Sequence, residues 1–320
     1  MIKIYELSTS GELQIVDDTK EGLTTSLADE RTNWIRAIEI NSAEVNSIRD
    51  SLALSDEVMD ALLEHEGQAG VVTYDDVLLM SLPVLLSKEE RTVALRVACT
   101  PTTLITAEPY DLSAVDRVAS ERFGAVQSSV TLTGLLAEIL EAVVSDINEA
   151  AYLTLRRKVD RIDDIIHGDV FGVAADELLD VRRKVEKLSM LWEEQRYGLK
   201  ELLRRHAYMP PSKNVLYLLR DLVADADRGL GQIARLSKIL SELRQHQVQC
   251  LHESSSRRLN ILTILSAIFL PATLISGIFG MNFVHIPGTQ WLHGFDLVIA
   301  FMVVLALGQL LYFYLRGWFK

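Results

Sequence analysis

Residues 259–295 carry no formal charge, and after Asp296 the next nineteen, residues 297–315, carry none either. A bilayer-spanning helix needs roughly 20 apolar residues, so the first run holds one span and a connecting loop, and the second holds another. Apolar backbone of this length is stable in lipid only where its N–H and C=O groups are satisfied within the segment, which requires helices here. The intervening residues include Gly280, Pro287 and Gly288, so the two runs predict a hairpin of membrane helices over 259–280 and 297–316. Residues 281–296 form its loop and 317–320 a short tail.

Orientation follows from the basic residues at the boundaries. Arg257 and Arg258 precede the first span, Arg316 and Lys320 follow the second, and the loop has no Lys or Arg. The positive-inside rule then places both ends in the cytoplasm and the loop outside. Residues 1–258 contain 30 basic and 43 acidic side chains, a net of −13. That excess would repel the phosphates of a nucleic acid and makes cationic ligands the more natural partners, although on charge alone a solvated acidic surface is the simpler explanation. Cys99 and Cys250 are far apart with no Cys-x-x-Cys spacing, so neither a disulfide framework nor a zinc knuckle is indicated. Residues 1–15 mix charged and apolar side chains and lack the apolar core of a signal peptide. There is no Walker-type phosphate loop and no His-Glu-x-x-His helix, and His65-Glu66 alone does not define a metalloenzyme. An enzyme is the least supported class.

The first third, residues 1–125, predicts an α+β domain with a mixed sheet and helices on its faces. Residues 2–7 and 13–16 flank Ser8-Thr9-Ser10-Gly11 as a hairpin, and residues 34–40 alternate as a half-buried strand would. A helical stretch covers 42–66, with Ser42 and Ser55 as caps. Strands follow at 77–86, 93–99 and 102–107, and Pro83, Pro101 and Pro109 place some of them at an edge. From Asp111 the period changes to about 3.6. Helices are expected at 112–123, at 130–167 with Leu136, Ile139, Leu140, Val143, Ile147 and Ala150 on one side, and at 174–206, stopped by Pro210-Pro211. Residues 126–211 thus form long antiparallel helices. Residues 212–258 form a stalk that continues into the first span, one helix of roughly 65 residues and about 100 Å. Its stripe of Leu230, Ile233, Leu236, Ile239, Leu240 and Leu243 predicts that neighbouring copies cover one another.

Within the first span, residues at three- and four-residue spacing are Leu259, Leu262, Ser266, Leu270, Thr273, Gly277 and Gly280. A face mixing small, hydroxyl and bulky apolar residues suits close packing about an axis, and equally suits ordinary small-residue packing with no pore. With Ile268-Phe269-Leu270-Pro271 in mid-span and Phe279-Gly280-Met281-Asn282 at its end, residues 257–282 resemble the CorA family of divalent cation channels and transporters. The likeness extends to the order of parts: acidic α+β domain, long antiparallel helices, stalk, two spans and a basic tail.

The resemblance implies a homopentameric funnel in the inner (plasma) membrane whose first spans line a central pore. Gly280, Met281 and Asn282 would then form the selectivity filter. Mg2+ gives up its water reluctantly, so a ring of Asn282 carbonyl oxygens would hold the hydrated ion through its polarised waters. Gly280 would allow the turn, and Met281 would pack the ring. By the same correspondence Thr273 is a polar pore ring, Leu270, Leu262 and Leu259 are constrictions able to close by dewetting, and Ser266 and Ser256 complete the lining. Uptake of Mg2+, with Co2+ and Ni2+, would follow the membrane potential, about 4.6 kcal/mol per divalent ion at 100 mV, without ATP. No cofactor is expected beyond transported and regulatory divalent cations. Asp221 matches a stalk-facing regulatory carboxylate, with Glu89 or Glu90 of a neighbouring copy as partner; an ion pair of Asp221 with Arg220 or Lys213 is the alternative.

After the motif comes Phe283-Val284-His285-Ile286-Pro287-Gly288-Thr289-Gln290-Trp291, with no carboxylate before Asp296. Magnesium-type relatives commonly have acids there, whereas the neutral loop, Ile286-Pro287-Gly288 and Trp34-Ile35 resemble the zinc-transporting branch. That branch usually varies the middle residue of the motif, which is Met281 here. His285 offers an imidazole suited to Zn2+, Ni2+ or Co2+. Two further readings therefore stand beside Mg2+ uptake: a Zn2+ transporter, proton-coupled or not, and a non-conducting membrane-anchored metal sensor or scaffold.

Overall fold

The computed structural model describes residues 1–7, 13–15, 32–40, 42–64, 69–74, 76–86, 91–122, 131–170, 172–205, 211–281 and 291–318. The chain divides into two compact units, Met1–Glu242 and Leu243–Lys320.

The first unit is built on a seven-stranded sheet: β1 (Ile2–Leu7), β2 (Leu13–Ile15), β3 (Asn33–Ile38), β4 (Gly70–Tyr74), β5 (Val77–Leu86), β6 (Arg91–Cys99) and β7 (Thr103–Glu108), in the order β2-β1-β3-β7-β6-β5-β4. Only β3 and β7 run parallel; the sheet is mixed, as expected. Successive strand side chains point to opposite faces, and both faces here are apolar. Leu78, Met80, Leu82, Val84, Leu95, Val97, Trp34 and Leu104 pack on one side with α3 (Ser113–Arg122), α4 (Leu132–Glu141), part of α6 (Ala175–Arg204) and the start of α7 (Lys213–Phe279). Ile35, Ala37, Leu79, Ala98, Ile105 and Ala107 pack on the other with α1 (Ser42–Leu52) and α2 (Asp56–Leu63).

This two-sided cover overturns the half-buried reading of residues 34–40. Every residue of β3 is buried, including Arg36. Its guanidinium donates to Glu108 twice (Nε–Oε1 2.7 Å, Nη2–Oε2 2.9 Å), to Asp111 and Asp116 (2.7 Å each) and to the Leu112 carbonyl (3.2 Å). A buried guanidinium needs this saturation, because each unsatisfied donor would carry its full desolvation cost. Burial alone would lower the Arg36 pKa, but hydrogen bonds and charge from Glu108, then Asp116 and Asp111, raise it overall. Burial pushes the Glu108 carboxyl up against the opposing pull of Arg36 and the Leu112 N–H.

Other expectations change in detail. The 42–66 helix is two helices: Ala53 takes φ 49°, the left-handed region that ends α1, and Ser55 Oγ accepts from Val58 N at 3.4 Å to cap α2. The strand β4 was not anticipated. The edge placement inferred from the prolines fails for β5, which lies between β4 and β6. Pro83 is tolerated because β4 pairs only as far as Ser81, and the Pro83 carbonyl instead accepts from Gln195 Nε2 at 2.7 Å. The 130–167 helix contains a π-helical stretch, Ala142–Asp146, between α4 and α5 (Ile147–Gly168). It turns Asn148 into the core and leaves Ala150 exposed, while Ile147 still packs, partly buried, against the core; Asn148 Nδ2 donates to Gln195 Oε1 at 2.5 Å.

The helix α7 has 67 residues, near the expected length. Its stripe does not wait for neighbouring copies: Leu222, Ala226, Ile233, Leu236 and Leu240 are already buried in the single chain. Gly229 is buried here too, against Trp192 of α6, while Ile239 is exposed.

Candidate ion pathway

The second unit contains the end of α7, the turn after it and α8 (Gly294–Leu315). Both helices are long and apolar enough to cross a membrane, and almost none of their apolar length is buried. The helix persists through Pro271, whose missing N–H leaves the Ala267 carbonyl without its usual donor.

At about 100° per residue, Leu259, Leu262, Ser266, Leu270, Thr273, Gly277 and Gly280 fall within an arc of about 80°, with Ser256 about 40° outside it. All eight are exposed in the single chain, Leu270 at 71%. The opposite side is covered. Ile264 is buried, Ala267, Ile268, Pro271 and Ile275 are half-buried, and clefts of about 480 and 420 Å3 there are lined by Ala267, Ile275 and Phe279 together with Phe301, Val304 and Leu297 of α8. The hairpin therefore occupies one side of α7 and leaves the mixed stripe bare on the other, about 180° away.

Chemically the stripe is uncharged and carries few polar atoms. Thr273 Oγ1 donates to the Phe269 carbonyl at 2.7 Å, which commits its proton and leaves the oxygen lone pairs facing outward as acceptors. At the end of the helix Gly280 N donates to Ser276 O at 2.9 Å and Met281 N to Ile278 O at 3.3 Å. A Cβ on Gly280 would stand 3.1 Å from Ser276 O, so the glycine permits the tight departure from the helix. Met281 is exposed. Asn282 and His285, like Glu89 and Glu90, lie outside the described residues. Asp296, the first carboxylate after the motif, sits in the first turn of α8 with His293 Nδ1 at 3.6 Å.

Asp221 belongs to the first unit, exposed on α7. It has no ion pair among the described residues, so the alternative of a pairing with Arg220 or Lys213 is not seen there. A His246–Cys250 contact, a pair the sequence reading passed over because each residue type is single in its turn, lies on α7 within the second unit. Among the described residues no group of three or more His, Cys, Asp and Glu side chains is placed to hold a metal ion.

These features define a class: a membrane protein with a two-helix hairpin, a large acidic extramembrane domain and a bare, uncharged helix stripe. The family profile described as CorA-like Mg2+ transporter protein matches residues 29–316, and the chain belongs to that family, one of ion transporters and not of enzymes. The cobalt/magnesium transport protein CorA of Thermotoga maritima is 26% identical over 187 residues, 58% of this chain and 52% of the relative. The chain thus spans about half the length of that curated relative. The complete structure of the CorA magnesium transporter from Methanocaldococcus jannaschii superposes with a TM-score of 0.84 at 20% identity, covering 99% of this chain and 98% of that one. The ZntB cytoplasmic domain from Vibrio parahaemolyticus gives 0.63 at 14% identity, covering 78% of this chain and 98% of that domain. The two likenesses establish a fold common to this chain and to both structures.

Proposed function

We propose that this chain forms a homo-oligomeric channel for divalent cations, a pentamer by family likeness, with Mg2+ as its principal ion and Co2+ and Ni2+ also carried. The observation that carries this reading is the bare stripe on α7: the hairpin covers the opposite side, so the stripe is free to face an axis shared with other copies. Along that axis Leu259, Leu262 and Leu270 are apolar constrictions, while Ser266 and Thr273 supply oxygen acceptors for the waters of a hydrated ion. Asn282 forms the outer ring, with Gly280 and Met281 shaping its turn, and Ser256 lies at the cytoplasmic mouth. The protein resides in the inner (plasma) membrane with both ends cytoplasmic, and the membrane potential drives inward flow. Exposed, and without an ion pair among the described residues, Asp221 is available to a regulatory cation shared with Glu89 or Glu90 of a neighbouring copy.

The test is Asn282→Ala in liposomes. Transport of Mg2+ should be abolished with oligomer size unchanged; undiminished uptake by the variant would sink the pore.

A second reading, Zn2+ transport, is favoured by the loop after the motif, which has no carboxylate from Phe283 to Trp291 and contains His285. Flux of Mg2+ and Zn2+ compared with and without a pH gradient separates the two. Under the second reading His285→Ala should alter Zn2+ or Ni2+ flux more than Mg2+ flux, and equal effects on all three ions would count against it. A non-conducting sensor would show no flux for any ion.

A further inference from the structure

His246 and Cys250 stand one helical turn apart on α7, and Cys250 Sγ lies 3.8 Å from His246 Nε2. Neither has another hydrogen-bond or ion-pair partner among the described residues. In a tetrahedral complex with bonds of about 2.3 Å to sulfur and about 2.05 Å to nitrogen, the two ligand atoms are separated by about 3.5 Å. The pair is already within a small side-chain adjustment of that edge. A compact helix turn fixes the two Cβ atoms, so little ordering is needed for both ligands to meet one ion.

We propose that His246 and Cys250 form a binding site for a borderline-soft divalent cation of the Zn2+, Co2+ or Cd2+ type. Thiolate and imidazole select against Mg2+, which prefers oxygen ligands and keeps its waters. Binding forms the metal–Sγ and metal–Nε2 bonds and releases the thiol proton to solvent; water fills the remaining positions. At about 100° per residue the pair lies on the side of α7 opposite the stripe of Leu259 to Gly280, so this ion is held off the proposed pathway. The site does not depend on the channel reading, since binding is measurable whether or not the chain conducts.

The chain has two cysteines, and Cys99 is fully buried with its thiol pushed up to about 12 by that burial. A thiolate–metal signal therefore reports Cys250. The experiment is a Co2+ titration of the full chain, reduced and in detergent, followed by the near-ultraviolet thiolate-to-cobalt charge-transfer band. The band should saturate at one ion per chain, disappear on addition of Zn2+ and persist in a large excess of Mg2+. It should be lost in Cys250→Ser and require at least tenfold more Co2+ in His246→Ala. Absence of the band, its survival in Cys250→Ser, an unchanged Co2+ requirement in His246→Ala, or its removal by Mg2+ would each overturn the proposal. None of these outcomes bears on Asn282 or on flux.

Discussion

A Cβ placed on Gly229 would lie 2.7 Å from both Cζ2 and Cη2 of Trp192. No real Cβ tolerates that approach, so α6 and α7 meet at a distance that only glycine allows. Around this contact Arg196 Nη1 lies 2.9 Å from Asp227, and Lys200 Nζ 3.8 Å.

Gly229→Ala should therefore lower stability by about 1–3 kcal/mol through overpacking, after the gain of about 1 kcal/mol that alanine brings to a helix interior. Gly231, two residues on, has open space around its Cβ position. Gly231→Ala should leave stability unchanged or raise it by up to about 1 kcal/mol. Thermal unfolding of both variants in detergent decides the matter; equal effects would contradict the contact.

The buried Arg36 cluster sets an acid limit. The hydrogen bond from Arg36, above all, holds the Asp116 carboxyl below its ordinary 3.8, helped by the charges of Arg36 and Lys3. A carboxylate lowered on folding stabilises the fold above its unfolded value, and that contribution disappears as pH falls through the lower folded value. Asp116→Asn should be less stable than the parent chain at neutral pH, and the gap should close below pH about 4. Unfolding midpoints measured from pH 7 down to pH 2 test this. A gap independent of pH would assign the effect to shape rather than charge.

Gln195 links two buried groups, accepting from the amide of Asn148 and donating to the carbonyl of Pro83. Gln195→Leu removes both bonds, leaves the Asn148 amide buried without its partner and should cost about 2–4 kcal/mol. Adding Asn148→Leu removes that unpaired amide, so the double variant should lose less than the sum of the single losses. Strict additivity would mean that the two amides do not act together.

Thr273 separates an electrostatic role from a packing role. Thr273→Val keeps the shape and removes the acceptor oxygen, and should reduce Mg2+ flux about fivefold, the equivalent of one hydrogen bond of about 1 kcal/mol. Thr273→Ser keeps the oxygen and should remain near the parent rate. Liposome flux is the measure, and equal loss in both variants would remove Thr273 from the ion's path.

The membrane half was legible because absence of charge is a one-dimensional signal, and the stripe from Leu259 to Gly280 needs only an unbroken helix. The α+β class, most strand positions and the length of α7 were legible for the same reason, being set by local period. What escaped depends on partners far along the chain. Arg36 reads as the polar position of an alternating strand; its burial follows from Glu108, Asp111 and Asp116, 72 to 80 residues later. The five residues of β4 carry no turn signal strong enough to mark them. Ala53 breaks a helix without the glycine or proline that announces a break. Ile233, Leu236 and Leu240 are already covered within the single chain, which an isolated stripe cannot reveal.

The π-helical stretch at Ala142–Asp146 makes chain length in this region a matter of rotation. A π-helical turn takes in one residue more than an α-helical turn of about the same rise and rotation, so it shifts by one position the residues that face the core afterwards. An uninterrupted α-helix would carry the buried face through Thr154, Lys158 and Ile165; it runs instead through Leu155, Val159, Ile162 and Ile166. Deleting one residue within the π stretch would therefore return it to a plain α-helix with the later face in place, whereas deleting one between Asn148 and Leu155 would swing Leu155, Val159, Ile162 and Ile166 about 100° out of the core they now fill.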